Sequence, residues 1–268
     1  MFLLENILSI FAYPQGERSS ISKIVGLVLS PFRLLNFNRL VSTLRQKASR
    51  VHVVASGPSL NIAELNLNLN AKDHVIVCNR GYRIIDSINS SNVIYYFCDE
   101  NISEDSGLEQ IDSSVVKITS YNRVNKELIS CGFYFFNENE VILKLLGFLK
   151  SPLAMESERS RWNPSGVIEF WGHGFAGFRP YYTVLYSILQ FVSSIGYKEI
   201  FIYGCDLDYR PGQCENYKAE IYDASDKQDH EGQARASEMR DTLLFAIKQL
   251  RRQGSVVRNG SAASPFKF

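Results

Sequence analysis

The sequence predicts an α/β fold: a Rossmann-like parallel sheet with helices on both faces and a helical N-terminal head. Three observations predict it. Short β-rich runs, apolar on both faces, alternate with helix-like stretches, the pattern of a parallel sheet covered on both sides. The first run ends in Ser56-Gly57-Pro58-Ser59-Leu60, which reads as strand, tight turn and helix start. Finally, 268 residues with 45% apolar content suffice for a packed core, which excludes global disorder.

Two regions are expected, a basic head over residues 1–50 and the sheet domain over 51–268. The head carries Arg18, Lys23, Arg33, Arg39, Arg45, Lys47 and Arg50 against Glu5 and Glu17, whereas the whole chain has a net charge of only +1. Its apolar runs, Met1–Tyr13 and Ile24–Phe37, are shorter than the ~20 residues a spanning helix needs, and Pro31 and Arg33 interrupt the second. No basic segment precedes the first run and no small-residue cleavage site follows it, so a signal peptide is not expected. Amphipathic helices lying in an anionic leaflet fit this pattern. A helical hairpin packed on the domain, or on a second copy of the chain, is the other reading.

Strands are expected at Val51–Ala55, His74–Cys78, Val93–Phe97, Val115–Thr119 and Phe133–Phe136, then a helix at Glu140–Leu149. Ser59 is the expected N-cap of the helix that follows the first strand. Ser151–Pro180, rich in Arg, Trp, Gly and Pro, shows no periodicity, and irregular segments of that length are usually functional. Tyr181–Ile195 reads as an apolar helix, Lys198–Tyr203 as a buried strand, Glu231–Gln253 as a helix and Ser255–Arg258 as the last strand. Of the five cysteines, Cys78, Cys98 and Cys205 fall in or at the ends of strands, and no CxxC pair occurs. Buried reduced thiols of a cytosolic protein are expected.

Candidate chemistry gathers where strands end. The Gly57-Pro58-Ser59 turn offers backbone N–H groups and a helix N-terminus to a phosphate or ribose. It is neither a Walker loop nor GxGxxG, so it does not point to a dinucleotide. Asn79, Asp99 and Asp206 follow three further strands at the same edge, where polar side chains can bond a base, ribose or sugar, although each alone is ordinary loop chemistry. Asp206-Leu207-Asp208 spells DxD, which in one class of glycosyltransferase holds a divalent ion on the donor pyrophosphate; three-residue matches are common by chance. The basic residues concentrate in an apolar head instead of an aromatic-lined groove, so no nucleic-acid partner is expected.

The order Ala55-Ser56-Gly57-Pro58-Ser59-Leu60, Cys78-Asn79, Gly196-Tyr197-Lys198-Glu199-Ile200, Gly204-Cys205-Asp206 and a later isolated His230 resembles glycosyltransferase family 42, the bacterial sialyltransferases. The resemblance covers roughly residues 51–265 and implies a Rossmann-type domain with a lid segment. It implies inverting transfer of an acidic ulosonic sugar (sialic acid, Kdo or a relative) from a CMP-sugar donor to a saccharide or glycolipid, as in polysaccharide biosynthesis, without cofactor or metal. It also implies donor contacts from Gly57, Pro58, Ser59, Asn79 and Asp206. Ser56 stands where the family has Asn, keeping a hydrogen-bonding group but shortening it. Asp99 replaces another Asn, and a carboxylate facing an anionic donor is unfavourable unless paired or protonated. Tyr209, one position out of register, and Tyr217 are the nearest matches to the tyrosines that hold the leaving phosphate, and Tyr182-Thr183 stands in for the family's Thr-Ser-Gly. His230 matches the general base, since an imidazole titrating near pH ~6.5 suits removal of the acceptor's hydroxyl proton; His173 is its competitor. Arg161 and Arg179 fit recognition of an acidic acceptor as well as they fit a solvated loop. The expected location is cytoplasmic, peripheral at the inner membrane face, as a monomer or a homo-oligomer. Three alternatives stay open: a metal-dependent DxD glycosyltransferase, a pyrophosphokinase-like nucleotide enzyme, since GxPSL-like turns also occur there, and a membrane-associated binding protein without catalysis.

Overall fold

The computed structural model describes residues 39–46, 49–98, 102, 106–120, 131–136, 183–207 and 230–268. Seven strands lie within them: β1 (Arg50–Val54), β2 (His74–Cys78), β3 (Val93–Phe97), β4 (Val116–Ser120), β5 (Tyr134–Phe136), β6 (Glu199–Tyr203) and β7 (Val256–Asn259). They form one sheet in the order β5-β4-β3-β2-β1-β6-β7, with every neighbouring pair parallel. The expected α/β class and all seven expected strands are present, each within one residue of its expected bounds. The chain builds outward from β1 to β5, then returns to the other side of β1 with β6. That reversal is the switch point, where an open parallel sheet leaves a crevice at its carboxyl edge.

Helices cover both faces: α1 (residues 39–46), α2 (Ile62–Asn68), α3 (Val184–Ile195) and α4 (His230–Arg252). Strand side chains alternate, which is why the runs are apolar throughout. Val51, Val53, Ile76, Ile94, Ile200 and Ile202 pack with residues of α1, α3 and α4. Val54, Val75, Val77, Tyr95 and Phe97 pack on the other side with Leu65 of α2 and with Ile84 and Ile85 of a 3-10 helix, Asn79–Ser87.

Two local readings change. The helix after β1 begins later than expected, with Asn61 as N-cap accepting from the Glu64 N–H at 3.2 Å, because Ser59 is engaged elsewhere. The described end of the basic head, residues 39–46 and 49–50, is part of the packed domain. Leu40 and Leu44 enter the core, and Arg45 donates to Ser194 O (2.6 Å) and Ile195 O (3.2 Å), placing a cation on the last carbonyls of α3. Met1–Tyr13, Ile24–Phe37, Glu140–Leu149 and Ser151–Pro180 lie outside the described residues. No described helix is long and apolar enough to cross a membrane. Cys78, Cys98, Cys131 and Cys205 are free thiols; burial pushes Cys78 up to about 12 and raises Cys205 as well, so both stay protonated and inert.

Candidate functional site

At the crevice the β1–β6 ladder runs past the strands into their two turns. The Ala55 N–H donates to Tyr203 O at 2.9 Å, and the Gly57 N–H to Gly204 O at 2.8 Å. Contact this close demands glycine on both sides. A Cβ on Gly57 would lie 2.4 Å from Gly204 O and 2.6 Å from Asp206 Oδ2, and one on Gly204 (φ 63°) would lie 2.6 Å from Ala55 O. Asp206, buried at the end of β6, then locks the turn. One carboxylate oxygen accepts the Ser59 N–H at 2.8 Å and the other accepts the Ser59 hydroxyl. Charge-assisted bonds of this kind are among the stronger ones. Both oxygens of the first DxD carboxylate therefore serve the Gly57-Pro58-Ser59 turn; Asp208 lies outside the described residues.

Asn79 follows β2, the strand beside β1, with φ 48°. Asn tolerates this left-handed conformation better than most residues, yet it remains uncommon. Its Oδ1 is buried and has no hydrogen-bond partner among the described residues. An unpaired buried acceptor costs about 1–3 kcal/mol. Such a group beside the switch point is suited to a ligand's N–H or O–H. Leu207, directly after Asp206, shares the same φ of 48°, so both described non-glycine residues with positive φ follow strand ends at this edge.

Helix directions complete the edge. Because α3 and α4 lead directly into β6 and β7, their N-termini point to the carboxyl side of the sheet. Thr183 is the N-cap of α3, its hydroxyl accepting the Leu185 N–H at 3.3 Å. His230 is the first residue of α4, and Leu243 of that helix lines the same small hollow as Cys205. At ~1.5 Å per residue His230 lies about 20 Å along the axis beyond Leu243. Thus Ser56, Gly57, Pro58, Ser59, Asn79, Thr183 and Asp206 share one edge, above which α4 projects. Asp99, Arg161, Arg179, Tyr209, Tyr217 and His173 lie outside the described residues.

A second polar cluster joins β1, β6 and the turn before β2. Fully buried His52, on β1, donates from Nε2 to Asp73 Oδ2 at 3.1 Å and accepts at Nδ1 from the Tyr203 hydroxyl at 3.3 Å. Asp73 also accepts the Asn70 N–H at 2.9 Å and pairs with Arg50 at 3.7 Å. Burial lowers the pKa of His52 against the opposing pull of Asp73, which agrees with a neutral ring that donates at one nitrogen and accepts at the other. Tyr203 is pushed up to about 12, chiefly by burial.

No protein-family profile and no curated protein sequence matches the chain. Among solved structures, the sialyltransferase CstII from Campylobacter jejuni, in complex with the substrate analogue CMP-3FNeuAc, is similar at 12% identity, covering 81% of this chain and 83% of that one with a TM-score of 0.41. The monofunctional α-2,3-sialyltransferase Cst-I from Campylobacter jejuni is similar at 13% identity, covering 81% of this chain and 77% of that one with a TM-score of 0.44.

Proposed function

We propose that the chain is an inverting, CMP-sugar-dependent glycosyltransferase that moves an acidic ulosonic sugar to a saccharide or glycolipid acceptor. The observation that carries this reading is Asn79, whose left-handed backbone and unpaired buried Oδ1 stand one strand from the Gly57-Pro58-Ser59 turn. That is the position of the donor-contacting Asn in the family which the sequence motifs resemble. An N–H or O–H of the nucleotide would satisfy the acceptor. The Gly57 and Ser59 N–H groups, which the sequence offers to a phosphate, are already bonded to Gly204 O and Asp206, so it is the N-terminus of α3 that would face the phosphate. The acceptor hydroxyl oxygen attacks the anomeric carbon, the bond from that carbon to the CMP phosphate oxygen breaks, and the proton passes to His230. CMP leaves as the anion, held by Tyr209 and Tyr217. The use of Asp206 to hold Ser59 supports a donor site that does not rely on a DxD metal pair.

Calorimetry with a nucleotide panel tests the reading. CMP and CTP should bind in the presence of chelator, while ATP with magnesium should not. Binding of ATP with magnesium alone would favour a pyrophosphokinase-like enzyme, and binding of none a protein without catalysis. The inner-membrane location is tested with anionic vesicles. The cut belongs after residue 38, because Leu40, Leu44 and Arg45 belong to the packed domain. Removing residues 1–38 should weaken vesicle binding, each lost basic side chain near the surface contributing about 1 kcal/mol. Equal binding by both forms would remove the membrane role.

A further inference from the structure

The last nine residues, 260–268, look like an ordinary polar tail after β7, yet they reach back to the turn that carries Asp206. Gly260 extends the β6–β7 ladder by one bond, its N–H donating to Ile202 O at 2.8 Å, and it must be glycine because a Cβ would lie 2.4 Å from the Tyr203 ring. Next, Ser261, only 1% exposed, accepts the Gly204 N–H on its Oγ at 2.9 Å. Ser264, equally buried, donates from Oγ to Cys205 O at 3.0 Å. The two backbone groups leading into Asp206 are thus both held by tail serines.

The tail is itself built to hold them. Asn259 accepts the Ser261 N–H on Oδ1 at 3.0 Å and donates from Nδ2 to Phe266 O at 2.7 Å, and the Ser264 N–H reaches Ser261 O at 3.1 Å. Phe266, 2% exposed, anchors the far end in the hollow lined by Leu185 of α3, Leu243 and Ile247 of α4, and Cys205. One ring therefore joins the helix that carries Thr183, the helix that carries His230 and the turn that carries Asp206.

We infer that the C-terminal tail is an integral wall of the nucleotide site and that Ser261 is a positioning residue for it. Ser261 holds Gly204, the Gly204 carbonyl holds the Gly57 N–H, and Asp206 two residues on holds Ser59. The inference rests on the nucleotide reading of the Gly57 turn. Removing the Ser261 hydroxyl leaves the Gly204 N–H buried without an acceptor, and the turn pair can regain a partner only by shifting.

The test compares the full-length chain with Ser261→Ala and, as a remote control, Ser193→Ala, which removes a hydrogen bond from Ser193 to Gln253 near the other end of α3. Calorimetry reads CMP affinity, turnover assays read donor and acceptor KM, and amide exchange reads the segment 203–207. Ser261→Ala should weaken CMP about ten-fold, raise donor KM with acceptor KM unchanged, and speed exchange in 203–207 while β2 and β3 stay protected. Ser193→Ala should change none of these. Wild-type affinity in Ser261→Ala, or exchange that rises across the whole sheet, overturns the inference. Should the wild-type chain bind no CMP, the functional reading fails while amide exchange still decides whether the tail braces the turn. If Ser261→Ala does not fold, Ser264→Ala reads the same brace through Cys205, and unchanged CMP affinity there counts against it.

Discussion

Two polar clusters sit side by side on β1 and β6, and they differ in what remains unbonded. Around His52, Asp73 and Tyr203 the protein supplies each ring nitrogen and the hydroxyl with a partner, on the α2 side of the sheet, and Arg50 Nε, buried without a hydrogen bond, still faces the Asp73 carboxylate at 3.7 Å. One residue past Tyr203 the crevice begins. There the polar groups hold one another in two touching turns, and Asn79 Oδ1 is left over. Polarity buried mid-strand and paired within the protein contributes to a unique packed core; polarity at the carboxyl edge with an acceptor to spare is what a ligand can use.

The sharpest way to break this comparison is to separate the two touching turns. Gly57→Ala drives a Cβ into Gly204 O and Asp206 Oδ2, and nothing there is a flexible side-chain end that can swing far. CMP binding should fall by roughly 100-fold or more, together with a lower melting temperature. Gly196→Ala makes the matched case: Gly196 has φ 83° and nothing within 4 Å of an added Cβ, so it carries backbone strain of about 1–2 kcal/mol without steric conflict. It should lower the melting temperature by a few degrees and leave CMP affinity alone. Equal loss of binding in both variants would mean that stability, not turn geometry, controls the site.

A middle-sized effect separates the open cluster from the closed one. Asn79→Gly removes the unpaired acceptor and relieves the positive φ, so the melting temperature should hold or rise while CMP affinity falls about ten-fold. Asp73→Ala should do the reverse. It strips partners from His52, Asn70 and Arg50, costing several degrees of melting temperature, with CMP affinity within about two-fold of wild type. Binding loss in Asp73→Ala as large as in Asn79→Gly would make the clusters one functional unit.

The sequence discloses the two clusters unequally, for physical reasons. Asn79 and Asp206 are legible because a polar residue ending a fully apolar run must face the sheet's edge. The strands themselves are legible because burial on both faces leaves a continuous apolar run. His52 and Asp73 are not legible as a pair: they lie 21 residues apart, and only the β1–β2 register brings them together. Ser59 reads locally as a cap because it precedes a helix, whereas its partner, Asp206, is 147 residues away. Arg45 belongs by sequence to the basic head, although it caps α3 across 150 residues of sequence. Ser261 and Ser264 carry no local signal at all, since a Ser- and Pro-containing tail reads as loop until Gly204 and Cys205 are seen beneath it.

The smallest expected effect is the pH response of the closed cluster. His52 has its pKa lowered by burial; Asp73 and Glu199 oppose that shift, and Arg50 adds to it. In the unfolded chain the ring titrates near about 6.5. Above that pH the ring is neutral in both states, and its contribution to stability does not vary. As pH falls below about 6.5 the unfolded chain takes up a proton that the folded one resists, so stability is lost downward until the folded pKa is reached. Melting temperature should therefore decline from pH 6.5 toward pH 5. His52→Gln, whose amide can still donate to Asp73 and accept from Tyr203, should start lower at pH 7.5 but decline less steeply. CMP affinity, measured where both proteins stay folded, should show no inflection that belongs to His52, because none of its bonds enters the crevice directly. An equally steep acid decline in His52→Gln would remove His52 as the source. An inflection in CMP affinity that disappears in His52→Gln would instead show that protonation reaches the site through Tyr203, whose carbonyl accepts the Ala55 N–H at 2.9 Å just ahead of the Gly57 turn.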